Sequence, residues 1–178
     1  MQKNKITTRI VRIGLMASIS IILIYLIRFP LFPAVSFLEY TPSDATILFA
    51  TLNFGTIEGL FLAIIVSIIQ GITVSAKSGF YGILMHFIAT SSIVLATGLT
   101  YKFLNKTTTN TIISLTLGAI AMTFIMIIAN LIITPIYTGM PVAAIKQILP
   151  FVIAFNLVKA AINAAITFIM FKTIKIKQ

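Results

Sequence analysis

Six apolar stretches, parted by short breaks of proline, glycine and polar residues, leave this chain almost no way to fold in water. They cover approximately residues 10–27, 43–54, 60–74, 80–103, 111–137 and 151–172. The chain is 59% hydrophobic and 9% charged, with a mean hydropathy of +1.11. A soluble domain of 178 residues has too little polar surface to cover that much apolar material, so the chain reads as an integral membrane protein. The fold class is therefore all-α: a polytopic, six-transmembrane-helix bundle forming a single membrane domain over residues 1–178.

The breaks are specific. Phe29-Pro30-Leu31-Phe32-Pro33 ends the first span, because proline does not fit a helix interior. Thr41-Pro42-Ser43-Asp44 reads as a helix start, with Thr41 as N-cap, Pro42 in the first position and Asp44 as the capping acid. The helix that follows is short, roughly 18 Å against a hydrocarbon core of about 30 Å, so it must tilt or be shielded by protein. Tight turns are expected at 55–59 and 75–79, and a polar loop at 105–110. Gly139-Met140-Pro141 ends the fifth span; residues 142–149 read as a short interfacial helix, and Pro150 as the start of the sixth span.

Six spans put both termini on one side. With the termini cytoplasmic, Lys3, Lys5, Arg9, Arg12, Lys102, Lys106, Lys172, Lys175 and Lys177 lie inside, and only Arg28, Lys77 and Lys146 outside. That distribution follows the positive-inside rule. It also explains the net charge of +10 without nucleic acid, since the basic residues are scattered over helix ends with no interleaved aromatic platform.

One cation falls deep inside a span, away from its ends. Lys159 sits in Phe155-Asn156-Leu157-Val158-Lys159-Ala160-Ala161-Ile162-Asn163, and an ammonium group at bilayer depth costs about 2.5–3.5 kcal/mol on insertion scales. Asn156, Lys159 and Asn163 share one helix face, as do Asn130, Thr134 and Tyr137 on the fifth helix. With the orientation above, Lys159, Asn130 and His86 all fall roughly 9–13 Å below the outer surface. Unpaired polar groups at that depth are unfavourable, so a shared cavity open to the outside is expected. Asn163 is equally well read as a hydrogen bond between helices. Asp44 reads as a cap and Glu58 as a solvated residue of a cytoplasmic turn. Glu39, beside Tyr40, stands at the cavity mouth by topology and is the nearest candidate to balance Lys159. Lys159→Met is expected to weaken ligand binding and leave the fold intact.

Several classes are excluded. The chain has no cysteine, hence no thiol chemistry or Cys-based metal site, and His86 is its one histidine. No metal or cofactor is expected. There is no phosphate-cradling Gly-rich motif, no zinc-protease or nucleophile-elbow motif and no visible nucleophile–base pair, so the protein reads as no enzyme. An autonomous carrier would want a proton relay within the membrane, for which only His86 is visible. A scaffold, in which the polar residues only lock helices, is the remaining rival.

Several segments carry a resemblance: Phe29-Pro30-Leu31-Phe32-Pro33, Phe37 to Asp44, Asn53-Phe54-Gly55, Asn130 to Tyr137, and Leu149-Pro150-Phe151 with Phe155 to Ala160. In order and spacing they resemble the S-components of energy-coupling factor (ECF) vitamin transporters, most nearly the riboflavin-binding RibU branch. The resemblance implies a bacterial cell-membrane protein that binds a small vitamin near the outer face. It implies partners as well: a transmembrane coupling subunit and two ATPase subunits. By the same resemblance Asn130 and Lys159 match ligand contacts, and Thr134, Asn156, His86, Glu39 and Tyr40 join them by position. Gly14, Ala17 and Ser18 match the small-residue surface of helix one that meets the coupling subunit. The third and fourth helices depart from the riboflavin pattern at Ser67-Ile68-Ile69-Gln70 and Met85-His86-Phe87, which leaves pantothenate or another vitamin open.

Overall fold

Prolines and glycines mark several of the breaks between these helices. The computed structural model describes residues 2–174. Within them lie α1 (Gln2–Leu26), α2 (Ser43–Phe54), α3 (Thr56–Ile72), α4 (Gly79–Phe103), α5 (Thr108–Thr138) and α6 (Val142–Thr173). Two short strands, β1 (Phe29–Pro30) and β2 (Glu39–Tyr40), pair antiparallel in the loop after α1, with Phe29 opposite Tyr40.

The α2–α3 break is sharper than the expected five-residue turn, since Gly55 alone separates the helices. Its φ of 124° and ψ of 166° lie in a region that only glycine visits freely. The start of α2 is also shifted. Pro42 is the N-cap, and Thr41 places its hydroxyl 3.1 Å from that of Ser43 rather than capping the helix. At the far end of α5, Gly139 takes the left-handed conformation (φ 71°) and its N–H closes on the Pro135 carbonyl at 2.9 Å.

Pro150 does not open a helix. It lies inside α6, which runs unbroken from Val142, so the separate interfacial helix expected over 142–149 is the first part of α6. Membrane bundles tolerate such prolines because neighbouring groups re-satisfy the freed carbonyls.

Helix α2 forms the axis of the bundle. It packs against α1, α3, α4 and α6, and every residue from Ser43 to Leu52 is buried. Protein on all sides is how a 12-residue helix survives at bilayer depth. Its apolar side chains (Ile47, Leu48, Phe49) meet Ile24, Leu62, Ile93 and Met122 in the core. Its polar ones find partners: Thr46 bonds Ser20 on α1, and the Ala45 carbonyl accepts from Thr167 on α6 at 3.1 Å. On α4, a Cβ at Gly98 would collide with the Thr56 side chain, so glycine lets α4 close on the α2–α3 junction. The outer faces of α1, α4, α5 and α6 are apolar and exposed, as lipid requires, with Phe103, Phe124, Ile132 and Ile169 among the barest side chains. These four helices are long and apolar enough to cross a membrane; α3, at 17 residues, is shorter.

Candidate functional site

At the end of the bundle where α5 stops and α6 begins, a cavity opens between α3, α4, α5, α6 and the loop carrying β2. It encloses about 870 Å³ of atom-free space, counting its open mouth. The α5 wall supplies Met126, Asn130, Ile133, Thr134 and Tyr137; the α6 wall supplies Phe155, Asn156 and Lys159. From α4 come Tyr81, Met85, His86 and Ala89, from α3 Gln70, and from the loop Phe37, Leu38 and Glu39. The surface is mostly apolar with a few convergent polar groups, the pattern of small-molecule sites.

Six expected residues therefore meet in one cavity: Glu39, His86, Asn130, Thr134, Asn156 and Lys159. Tyr40 does not join its lining. Its ring is buried against Phe29, with centroids 5.5 Å apart, because strand pairing turns it away from Glu39. Asn163, the third member of the α6 stripe, also points elsewhere, donating to the carbonyls of Lys159 and Thr41 and so tying α6 to the residues before α2.

Lys159 is only 6% exposed, yet it is not left for a solute to neutralise. Its Nζ lies 3.0 Å from Oδ2 of Asp44, a residue 1% exposed. The Thr90 hydroxyl donates to Oδ1 of the same carboxylate at 2.9 Å, and His86 Nε2 stands 4.0 Å from it. Asp44 is thus an acid of the bundle interior rather than a helix cap. Two readings change with it. Glu39 does not balance Lys159, because its carboxylate pairs with Arg28, which also donates to the Val74 carbonyl just beyond the end of α3. With this pairing, Lys159→Met is expected to cost stability as well as binding, because it strands a buried carboxylate. Glu58 is likewise not simply solvated but pairs with Arg9 at 2.9 Å.

The remaining hydrogen-bonding capacity defines what the cavity can accept. Asn130 donates to the Met126 carbonyl at 2.8 Å and accepts from Thr134 at 3.0 Å, which leaves one amide N–H. Asn156 is held the same way by the Val152 carbonyl at 2.8 Å. Lys159 keeps N–H groups beyond the one aimed at Asp44. On the opposite wall, His86 Nδ1 lies 2.7 Å from the Ser67 hydroxyl, while His86 Nε2 and Gln70 Oε1 are buried with no hydrogen-bond partner. Gln70 and Arg28 are not among the contacts expected from the sequence: Gln70 stands there only as part of a departure from the riboflavin pattern, and Arg28 reads as an ordinary boundary cation. The Tyr81 and Tyr137 rings meet at 5.5 Å between α4 and α5.

On α1, Gly14 and Ser18 lie on an open face, with the Ser18 hydroxyl returned to the Gly14 carbonyl at 2.9 Å. Ala17 does not share that face; it is buried in the chain's own core.

A mostly apolar cavity with a few convergent polar groups inside a lipid-facing helix bundle, with a salt-bridged loop at its mouth, defines a membrane protein built to hold a small solute. More particularly, the chain belongs to the substrate-specific components of ECF transporters, whose family model, described as "ECF transporter, substrate-specific component", matches residues 8–171. It is 29% identical over 181 residues to the riboflavin transporter FmnP of Bacillus subtilis (strain 168), covering 94% of this chain and 92% of that one. Its fold is similar to a solved structure described as the S component of a bacterial ECF transporter, with a TM-score of 0.80, 24% identity and coverage of 93% and 94% of the two chains.

Proposed function

We propose that this chain captures riboflavin in the cavity between α3, α4, α5 and α6 and passes it on with a coupling subunit and two ATPases. The observation that carries the choice of solute is the Lys159–Asp44 pair. With the ammonium already balanced, an uncharged vitamin adds no unpaired charge, whereas an anion such as pantothenate would set a carboxylate against Asp44. The similarity to the Bacillus subtilis riboflavin transporter supports the same solute.

In this reading the apolar walls supply most of the affinity and cover the ring system. The free N–H groups of Asn130, Asn156 and Lys159 donate to ring carbonyls in a dry site. Gln70 and His86, across the cavity, take hydroxyls of the sugar-alcohol chain, which both donate and accept. Leu38 and Glu39 cover the mouth, held by Arg28. The termini and the α2–α3 and α4–α5 turns lie on the cytoplasmic side, as the lysine distribution favours. Gly14 and Ser18 offer a small-residue face to the coupling subunit.

The test is direct. Purified protein titrated into riboflavin is expected to quench its fluorescence at one-to-one stoichiometry, and mass spectrometry of the purified sample to find a co-purified flavin. An excess of pantothenate is expected to leave that quenching unchanged. Binding of pantothenate with no response to riboflavin overturns the choice of solute, and failure to bind either overturns the assignment to this cavity.

A further inference from the structure

The chain contains three acids, and each pairs with a cation: Glu58 with Arg9, Glu39 with Arg28, Asp44 with Lys159. Among the described residues, the other lysines and arginines have no acid partner. Three of them, Arg12, Lys102 and Lys106, line a single cleft at the end of the bundle remote from the solute cavity. This cleft encloses about 970 Å³ of atom-free space, counting its mouth, and no carboxylate lines it.

From this geometry we infer that the cleft is an anion site occupied by the phosphate of an anionic phospholipid. The Arg12 guanidinium lies over the Phe54 ring at 4.9 Å, which fixes its plane and leaves its N–H edge for a planar or tetrahedral oxyanion. Lys102, in the last turn of α4, and Lys106, just beyond it, are exposed and bring two more charges from the other side. Gly55 and Thr56, which open α3 with no side-chain cap, line the cleft between them.

The surroundings choose a lipid over a free anion. Arg12 stands within the membrane-spanning stretch of α1, and Leu15, Leu99 and Phe103 are exposed on the flanking helices. A bound headgroup would send its acyl chains along those side chains, while a soluble phosphate would leave them unused. Basic pockets between membrane helices take anionic headgroups by this logic.

Native mass spectrometry of the full chain in mild detergent tests the inference, with phosphatidylglycerol and phosphatidylcholine of identical acyl chains as probes. Wild type is expected to retain phosphatidylglycerol selectively. Replacing Arg12, Lys102 and Lys106 together by Gln is expected to reduce that selectivity roughly a hundredfold. A control triple, Lys77→Gln, Lys146→Gln and Lys172→Gln, removes the same charge outside the cleft and is expected to keep it. If the Arg12 change compromises folding, judged by thermal unfolding, the Lys102→Gln/Lys106→Gln pair of exposed residues is expected to lower selectivity more than tenfold. Equal loss in the control triple overturns the site in favour of diffuse surface charge. Displacement of phosphatidylglycerol by millimolar inorganic phosphate overturns the lipid as its occupant, and so does equal retention of the two lipids by wild type.

Discussion

Asp44 and Lys159 make a double-mutant cycle informative, because each is nearly inaccessible and each is the other's main charge partner. Removing one member of a buried pair leaves an uncompensated ion, at a cost of about 3–5 kcal/mol. For a chain of this length each kcal/mol moves the melting temperature by about 2–4 °C, so Asp44→Asn and Lys159→Met are each expected to lower it by about 6–20 °C. The double variant removes both charges and is expected to regain most of the loss, since replacing a whole buried pair by neutral groups is often close to neutral. The assay is thermal unfolding of detergent-solubilised protein without ligand, with riboflavin titration on the same four samples. Stability is expected to return in the double variant and binding is not, because the Lys159 N–H groups are gone. Additive losses, with a coupling below about 0.5 kcal/mol, would refute the pairing argument and with it the charge-based choice of a neutral solute.

Other consequences follow from single features. Arg28→Ala frees Glu39 and the Val74 carbonyl together, so it is expected to speed solute release severalfold while leaving the melting temperature within a few degrees; stopped-flow fluorescence measures this, and an unchanged off-rate removes Arg28 from the mouth. Gln70→Leu, which takes away an unpartnered buried acceptor, is expected to weaken riboflavin about tenfold and lumichrome, which lacks the sugar-alcohol chain, hardly at all; equal loss for both would place the hydroxyls elsewhere. Gly55→Ala forces a Cβ into a conformation with φ of 124° and against the Glu58 carboxylate, and is expected to destabilise by about 1–3 kcal/mol in a thermal melt; a neutral result would mean that the α2–α3 turn relaxes freely.

The polar stripes of α5 and α6 were legible in the sequence because helical periodicity and alternating spans together assign both face and depth. Asn130, Thr134, Asn156, Lys159 and His86 needed no more than that to converge. Asp44 was misjudged for a physical reason: the Thr-Pro-Ser-Asp string is a strong local helix-start signal, and a cap and a buried counter-ion look the same from the sequence. The clue was the shortness of α2, since a helix shielded on all sides brings its first turn inside as well. Glu39 and Arg28 lie across a two-strand pairing that composition does not announce. Pro150 misled because the breaking rule for soluble helices was applied inside a bundle that tolerates proline.

The enclosed axial helix has a consequence for how the chain is made. Ser43–Phe54 spans roughly 18 Å and carries Asp44, so the insertion machinery cannot release it sideways into bilayer as an independent segment. It has to enter joined to α3 through the single-residue corner at Gly55, and it stays short of company until α4 and α6 have been synthesised. Glycosylation mapping of nascent chains ending near residue 55 and near residue 75 would show the first failing to anchor α2 and the second holding it as a hairpin. Biogenesis of this protein is then a matter of waiting for the last helix, whose lysine gives the earliest buried acid its counter-charge.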